Sequence, residues 1–214
     1  MLGWMSPKLR VLLSVFGATL LLDQLSKLWV VRSLAYQGPR LDERARAGLD
    51  ALGHARGNPL EHVVIPGWLS FEHAQNPAAA MGMMLGVEHR MVFFALFTVL
   101  AVAILAGMYR ALAPLDRLQS ASLAFLLAGV IGNAIDRVHK GTVTDFVKVT
   151  FDAEPLRGWM VAAIGSNEWY TFNIADAAIF VGLGNYLLTM VFTRDTDGGE
   201  VGAGPPTDLG ETTA

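Results

Sequence analysis

Long runs without a charged residue are the feature that most limits how this 214-residue chain can fold. The clearest is Met91–Tyr109, nineteen residues without Asp, Glu, Lys or Arg. A helix needs roughly 20 apolar residues to cross a bilayer. Leu118–Ile135 and Ala177–Thr193 are two further uncharged runs of nearly that length. Over the whole chain 53% of the residues are hydrophobic and 16% are charged, against about 25% charged in soluble domains. We therefore predict a membrane protein.

A fourth run, Val11–Leu22, follows Lys8 and Arg10 and allows two interpretations. Basic residues before a short apolar stretch are typical of a cleaved signal peptide. Apolar residues resume beyond Asp23 and Lys27, however, and this favours a retained first transmembrane helix. Asp23 and Lys27 are four residues apart with the acid first, so on a helix they share a face and can form an ion pair.

The pattern predicts an all-α membrane protein with four transmembrane helices and a small β-rich loop region outside the membrane. The predicted spans are residues 10–32, 91–109, 118–136 and 174–193, which form one membrane domain within residues 1–193. Residues 194–214 are rich in Asp, Gly, Thr and Pro and are predicted to form a disordered tail. Four spans place both termini on one side of the membrane. The count of Lys and Arg in the loops does not by itself identify that side.

The connection between the first two spans, residues 33–89, is long and polar. One side of a helix within it would carry Leu41, Ala45, Leu49 and Leu52. That pattern fits either a short amphipathic helix or an ordinary solvated loop helix. Further on, Val63–Ile65 and Trp68–Phe71 flank a Pro-Gly turn and predict a short β-hairpin.

Clusters of polar residues lie next to the ends of the last two spans. Gly132–Arg137 ends the third run, Gly141–Phe146 follows it closely, and Phe172–Asp176 comes just before the last run. An ionisable residue at membrane depth costs roughly 2.5–3.5 kcal/mol, so its presence indicates function. We therefore interpret the helices as a frame that brings Asp145 and Asp176 together.

These clusters, with two others, resemble the lipoprotein signal peptidases (signal peptidase II), the bacterial membrane aspartic proteases. The blocks that carry the resemblance are Asp23–Lys27, Asn76–Gly82, Gly132–Arg137 with Gly141–Phe146, and Phe172–Asp176. Each block alone is a weak pattern, but their order, spacing and position at the ends of four spans are specific. The resemblance covers roughly residues 9–192. Asn76–Gly82 departs from the family's usual Asn-Thr-Gly-Ala-Ala-Phe-Gly, because it lacks one glycine and the aromatic residue.

The resemblance implies an enzyme of the bacterial cytoplasmic (inner) membrane, with both termini in the cytoplasm and the active site near the outer face. The β-rich loop region is then extracytoplasmic, and the disordered tail is cytoplasmic. It implies that Asp145 and Asp176 are the catalytic residues. The implied substrate-binding residues are Asn76, Asn133, Arg137 and Asn173, and the implied structural or supporting residues are Asp23, Lys27, Gly132, Asp136 and Gly141. The implied substrates are prolipoproteins with a diacylglyceryl group on the cysteine that becomes the new N-terminus. Membrane lipids are the other expected partners, and the protein is expected to be a monomer.

Two aspartates are sufficient to hydrolyse a peptide bond without a metal or a covalent intermediate, because the reaction needs one base for water and one acid for the substrate. Two carboxylates a few ångströms apart cannot both ionise, so they share one proton and supply both groups. The titration then belongs to the pair. The sequence leaves open which aspartate is the base.

Composition and residue spacing exclude several other kinds of function. The chain has no cysteine, which excludes disulfides and thiol nucleophiles. A net charge of −3 without a basic cluster predicts no nucleic-acid partner. No histidine lies at a ligand spacing from another ligand, so no metal or cofactor is predicted. Two alternatives to the peptidase remain: a small proton-coupled transporter that uses interfacial carboxylates, and a catalytically inactive homologue that binds lipoprotein precursors.

Overall fold

Four long helices and a three-stranded sheet make up most of the computed structural model, which describes residues 5–34, 61–77 and 90–197. In chain order the elements are α1 (Pro7–Ser33), β1 (Glu61–Ile65), β2 (Leu69–Asn76), α2 (Arg90–Ala111), α3 (Arg117–Lys140), β3 (Val143–Val149), α4 (Leu156–Ile164) and α5 (Ile174–Asp197). Within this part of the chain α1, α2, α3 and α5 are each long and apolar enough to cross a membrane. The predicted fold class, four transmembrane helices with a small β region, is confirmed.

The helices begin and end at capping residues. Ser6 caps α1, and its hydroxyl accepts a hydrogen bond from the Leu9 N–H at 3.4 Å. Asp116 caps α3 in the same way, accepting from the Gln119 N–H at 3.1 Å. Gly141 ends α3 in the left-handed conformation, with φ of 74°, which glycine adopts without steric cost. The chain turns there and enters β3 two residues later.

Several predicted boundaries differ from the structure. The sequence predicts that the third span ends at residue 136, but α3 continues to Lys140, because cations are favourable in the last turn of a helix. It predicts a disordered tail from residue 194, but α5 continues to Asp197, since extending a formed helix is inexpensive. Residues 198–214 lie outside the described part of the chain, and so does the predicted loop helix with Leu41 to Leu52. The short helix α4 is not predicted.

Helix α3 is the centre of the bundle. It packs against α5 and α1 most extensively and also against α2. Glycines allow the close approach of α3 and α5: a Cβ at Gly129 would overlap the Ala175 carbonyl oxygen, and one at Gly182 would lie 2.7 Å from the Ser122 carbonyl oxygen. The outward side chains are apolar and exposed, as in Leu96, Phe97, Val99 and Leu100 of α2. Such a surface suits contact with lipid.

The two ends of the bundle carry different structures. At one end Lys8, near the start of α1, donates from Nζ to the Leu112 carbonyl oxygen at 2.7 Å, just beyond α2. Its own carbonyl oxygen accepts a hydrogen bond from Ser120 Oγ at 2.7 Å. The sheet lies at the other end, in the antiparallel order β1-β2-β3, where Phe146 packs with Val30 and Leu34. The end of α1 thus holds β3 beside the end of α3.

Candidate active site

The sheet places Asn76 beside Asp145. In the antiparallel pair of β2 and β3, Asn76 lies opposite Val143 and Ala74 lies opposite Asp145. Asn76 Nδ2 donates a hydrogen bond to Asp145 Oδ2 at 3.1 Å. Only 4% of Asp145 is exposed, so its carboxyl group depends on donors from the protein rather than on water.

Asp176 lies in the first turn of α5, which Asn173 caps. Asn173 Oδ1 accepts a hydrogen bond from the Asp176 N–H at 3.0 Å, and Asp176 Oδ2 accepts one from the Asn173 N–H at 3.2 Å. This reciprocal pair is a capping box, with Asn and Asp in place of the usual Ser or Thr and Glu. A carboxylate at a helix N-terminus is also stabilised by the helix dipole. The cap therefore fixes where the Asp176 carboxylate points.

Asn173 joins the two aspartates. Its Nδ2 donates to Asp145 Oδ1 at 2.7 Å, while its Oδ1 accepts from the backbone of Asp176. Asn133, on α3, donates from Nδ2 to Asp176 Oδ1 at 2.8 Å. Each of the four carboxylate oxygens thus accepts a hydrogen bond, and the donors come from β2, α3 and the start of α5. The aspartates predicted from the sequence lie in one connected site.

The site opens onto a cavity of about 530 Å³. Five of the six residues predicted to be catalytic or to bind substrate line it: Asn76, Asn133, Arg137, Asp145 and Asp176. The sixth, Asn173, is fully buried behind the two carboxylates. The rest of the wall consists of Val143, Trp169, Tyr170, Thr171, Phe172, Ile179, Phe180 and Leu183. A mainly apolar space with a few convergent polar groups is the usual form of a ligand site.

The pKa of the Asp145 carboxyl group is raised above its usual value. Burial raises the pKa of Asp145 to about 7, and the neighbouring charge of Asp176 acts in the same direction. The hydrogen bonds from Asn76 and Asn173 favour the ionised form and oppose the rise. A substantial share of the molecules therefore keeps a proton on Asp145 at neutral pH, which suits a general acid.

Arg137 lies one turn after Asn133 on α3, so both residues face the cavity. Its guanidinium lies over the Phe94 ring of α2, 4.1 Å from the ring centroid to Cζ. Guanidinium groups carry several N–H donors and suit carbonyl groups that water does not reach. The site thus holds a cation and two aspartates around one space.

A buried ionic cluster lies beneath the cavity. Lys27 Nζ is 2.9 Å from Asp23 Oδ2 and 3.5 Å from Asp136 Oδ2, and these side chains are at most 2% exposed. Lys140 Nζ lies 3.1 Å from the other oxygen of Asp136. The ion pair predicted between Asp23 and Lys27 is present, and two residues of α3, Asp136 and Lys140, join it to form a cluster of four charges. Burial of this kind is tolerated because every carboxylate has a cationic partner.

The carboxylates of this cluster hold the backbone next to each aspartate of the site. Asp23 Oδ1 accepts a hydrogen bond from the Ala175 N–H at 2.9 Å, and Ala175 immediately precedes Asp176. Asp136 Oδ2 accepts from the Thr144 N–H at 2.9 Å, and Thr144 immediately precedes Asp145. The supporting role of Asp23 and Asp136 stays a prediction, and these two backbone contacts are the place where it would act.

Gly132 allows this arrangement to be compact. A Cβ at Gly132 would lie 2.6 Å from Asp23 Oδ2 and 3.3 Å from the Ala175 Cβ. Any larger residue would push α3 away from α1 and from the start of α5. Gly132 therefore allows α3 to pack closely against α1 and α5, while Gly141 allows the chain to turn from α3 into β3.

Some residues of the site are not predicted. Lys140 Nζ donates to Thr144 Oγ1 at 3.0 Å, and Gln75 Nε2 donates to the same oxygen at 3.2 Å. Lys140 follows Asp136 at the same spacing as Lys27 follows Asp23, and this repetition is a signal in the sequence. The aromatic wall at 169–172 lies directly before Asn173, which is a weaker signal. Residues 78–82 of the Asn76–Gly82 block lie outside the described ranges. Within those ranges no three His, Cys, Asp or Glu side chains are placed to hold a metal ion.

Comparison with known proteins identifies the family. The family model described as "Signal peptidase (SPase) II" matches residues 15–192. This chain belongs to the signal peptidase II family. A lipoprotein signal peptidase of Geobacter metallireducens is 30% identical over 188 residues, covering 87% of this chain and 94% of the relative. One of Listeria welshimeri is 33% identical over 178 residues, covering 83% and 90%.

A solved structure shares the fold of this signal peptidase II. It is a bacterial membrane enzyme determined by the in meso method at 2.3 Å resolution, with a TM-score of 0.61 and 22% identity. The match covers 91% of this chain and 94% of that one. The predicted family and the predicted enzyme class, an aspartic peptidase, are confirmed. The chain is a multi-pass protein of the inner membrane.

Proposed function

We propose that this signal peptidase II cleaves prolipoproteins immediately before a diacylglyceryl-modified cysteine, with Asp145 and Asp176 as the catalytic pair. The observation that carries the assignment is the contact of Asn173 with both aspartates at the wall of the cavity. This contact holds two carboxyl groups of different burial at one place, which is what a shared proton requires.

The reaction uses one ionised and one protonated carboxyl group. The Asp176 carboxylate takes a proton from water as the oxygen attacks the scissile carbonyl carbon, while Asp145 gives its proton to the carbonyl oxygen. The C–N bond of the tetrahedral intermediate then breaks as Asp176 passes its proton to the leaving nitrogen. Asp145 recovers a proton from a hydroxyl of the intermediate, so the pair ends with the one proton it had at the start. The raised pKa of Asp145 supports its role as the acid.

The remaining groups of the cavity bind the substrate. Arg137 and Asn76 offer N–H donors to the peptide backbone near the carboxylates. The apolar side chains of Ile179, Phe180 and Leu183 continue the cavity along α5, and 81% of Phe180 is exposed. Acyl chains would lie against this surface, with about 0.8 kcal/mol gained per buried methylene. Anchoring the lipid there holds the scissile bond at the depth of the two aspartates.

The site faces the outer side of the membrane, and both termini face the cytoplasm. Lys8, near the N-terminus, contacts the connection between α2 and α3, so these parts lie at one end of the bundle. That end also carries Arg10, Arg110 and Arg117. The other end carries Arg137 and Lys140, so the orientation rests on the family resemblance rather than on the distribution of basic residues.

The position of the carboxylates favours hydrolysis over proton transport. A transporter places its acids near the bilayer midplane, at broken helices. Asp145 instead lies on a strand after α3, and Asp176 lies in the first turn of α5. The inactive-homologue alternative is separated from the peptidase by the test that follows.

The test is cleavage of a diacylglyceryl-modified prolipoprotein by purified protein, followed on a gel. Asp145→Asn and Asp176→Asn should each lower kcat by about 10²–10⁴-fold, because asparagine keeps the size of the side chain but cannot exchange the proton. Substrate binding should persist in both variants. If either variant retained near-normal cleavage, the catalytic pair would be assigned wrongly.

Asp136→Asn is the matched control, because Asp136 is also a buried aspartate but lies outside the cavity lining. It should destabilise the protein by about 3 kcal/mol, since Lys27 and Lys140 lose their shared partner. Turnover by the folded fraction should fall far less than in the two catalytic variants. An unsubstituted protein that folds, binds the substrate and cleaves none of it would favour the inactive homologue.

A further inference from the structure

Lys27 makes a contact that its ion pairs do not require. Its Nζ already lies 2.9 Å from Asp23 and 3.5 Å from Asp136, which together neutralise it. It also donates a hydrogen bond to Asn133 Oδ1 at 3.1 Å. Lys27 is 1% exposed and lies on α1, whereas Asn133 lies on α3 and lines the cavity. The contact therefore links the buried ionic cluster to the site.

The direction of the Asn133 amide depends on this contact. An ammonium group has donors only, so it can face the oxygen of an amide but not its NH₂ group. With Oδ1 turned to Lys27, Nδ2 is turned to Asp176 Oδ1, at 2.8 Å. The reverse orientation would place an NH₂ group against the ammonium and an oxygen against a carboxylate. The Asn173 NH₂ group has two N–H donors, one for Asp145 Oδ1 at 2.7 Å and one for Asn133 Oδ1 at 3.2 Å, so it supports the orientation that Lys27 also requires.

We propose that Lys27 is a positioning residue for the peptidase reaction: it fixes the Asn133 side chain with its NH₂ group directed at Asp176. The inference rests on the proposed role of Asp176 as the base. A directed donor on Oδ1 and the Asn173 N–H on Oδ2 fix the plane of the Asp176 carboxylate, and with it the direction in which a remaining lone pair can meet water. Lys27 is absent from the cavity lining, and its proposed effect on Asp176 is transmitted by Asn133.

Lys140 provides the matched control. It also pairs with Asp136, at 3.1 Å, and it also lies one helical turn from its acid. Its second contact is with Thr144 Oγ1, at 3.0 Å, rather than with an asparagine of the site. Lys140→Met therefore removes a cation from the same cluster without touching the Asn133 amide. It should lower the melting temperature, and its effect on kcat should be the same with and without Asn133→Ala, in contrast to the effect of Lys27→Met.

The experiment is a double-mutant cycle in the chain that keeps Asp23. Asparagine at position 23 could keep its oxygen on the Ala175 N–H only by turning its NH₂ group toward the Lys27 ammonium and the Gln24 NH₂ group, which would disturb the contact under test. The variants are Lys27→Met, Asn133→Ala and both together, assayed with a diacylglyceryl prolipoprotein in detergent. Melting curves establish the folded fraction for each. If Lys27→Met does not fold, Lys27→Leu takes its place in the cycle.

Lys27→Met should lower kcat by about 10- to 100-fold with KM nearly unchanged, as is typical when a supporting hydrogen bond is removed. With Asn133→Ala already present, Lys27→Met should have almost no further effect, because the residue through which it acts is gone. An equal loss with and without Asn133 would overturn the proposal, because a purely structural role is additive. Unchanged kcat in the Lys27→Met chain would also overturn it. Absence of cleavage by the unsubstituted protein would instead contradict the proposed function.

Discussion

Asn173 and Asp176 each accept a hydrogen bond from the backbone N–H of the other, at 3.0 Å and 3.2 Å. The first turn of α5 is thus held by the same two side chains that form half of the site. Asn173 has a second task, because its NH₂ group donates to Asp145 at 2.7 Å. The start of a transmembrane helix and the spacing of the two aspartates are therefore set by a single residue.

Substitutions of Asn173 should separate its two tasks. Serine can cap a helix but has no NH₂ group for Asp145, whereas alanine can do neither. We expect Asn173→Ser and Asn173→Ala to lose turnover together, by about 10- to 100-fold. Asn173→Ala should in addition be less stable than Asn173→Ser by about 1 kcal/mol, the usual value of an N-cap.

Cleavage rates and thermal melting in detergent measure the two effects on the Asn173 variants. Near-normal cleavage by Asn173→Ser would mean that the bond to Asp145 is not needed. Equal melting temperatures for the serine and alanine variants would mean that the cap does not stabilise α5.

The pH dependence of cleavage should follow Asp145. Its pKa is raised to about 7 by burial and by the neighbouring Asp176. We expect kcat/KM to decline as pH rises through about 7, because the proposed acid loses its proton. A pH–rate profile with the lipidated substrate held well below KM gives the apparent value for the pair. A profile that stayed flat to alkaline pH would contradict the role of Asp145 as the acid.

The pH dependence of stability due to Asp145 should be opposite in direction to that of a salt-bridged aspartate, whose contribution to stability increases as pH rises. Between about pH 4 and pH 7 Asp145 is protonated in the folded protein and ionised in the unfolded chain, so the folded state binds more protons. The free energy of unfolding should therefore fall across this range, by up to about 4 kcal/mol, and level off above it. Asp145→Asn should lack this contribution. Melting curves of both proteins at several pH values test the difference.

Gly132→Ala should destabilise the bundle. The added Cβ would lie 2.6 Å from Asp23 Oδ2, and relief of such a contact costs about 1–3 kcal/mol. Gly107→Ala on α2 is the matched control, because no heavy atom of the described residues lies within 4 Å of a Cβ built there. That change should be neutral or stabilising by up to about 1 kcal/mol. Thermal unfolding of the two variants measures the difference in stability. Equal stability would contradict the close packing described for α3.

The sequence predicts the parts of the fold that depend on single segments. Uncharged runs locate the four spans, but the run that ends at Ile135 places the end of α3 too early, because the last turn of this helix is charged. The motif blocks predict that Asp145 and Asp176 are the catalytic residues. Helix α4 is not predicted, because its nine residues are too few for periodicity to distinguish a helix from a strand.

Contacts between distant segments are harder to predict. The spacing of Asp23 and Lys27 predicts their ion pair, since both lie on one helix. The bond from the Ala175 N–H to Asp23 depends instead on how α1 and α5 pack around α3, which no local pattern encodes. The aromatic wall of the cavity, including Trp169, comes from an irregular segment and has the same limitation.

Each helix that carries a buried acid of the cluster also carries a base one turn later: Asp23 with Lys27 in α1, and Asp136 with Lys140 in α3. A helix that enters the bilayer during synthesis has no later helix to pair with. An unpaired charge at its centre then costs roughly 2.5–3.5 kcal/mol on insertion scales. Because each pair is complete within one helix, Asp23 and Asp136 need no other helix for their first cationic partner. The contact between Lys27 and Asp136 joins α1 to α3, so it adds to two pairs that the local sequence already provides.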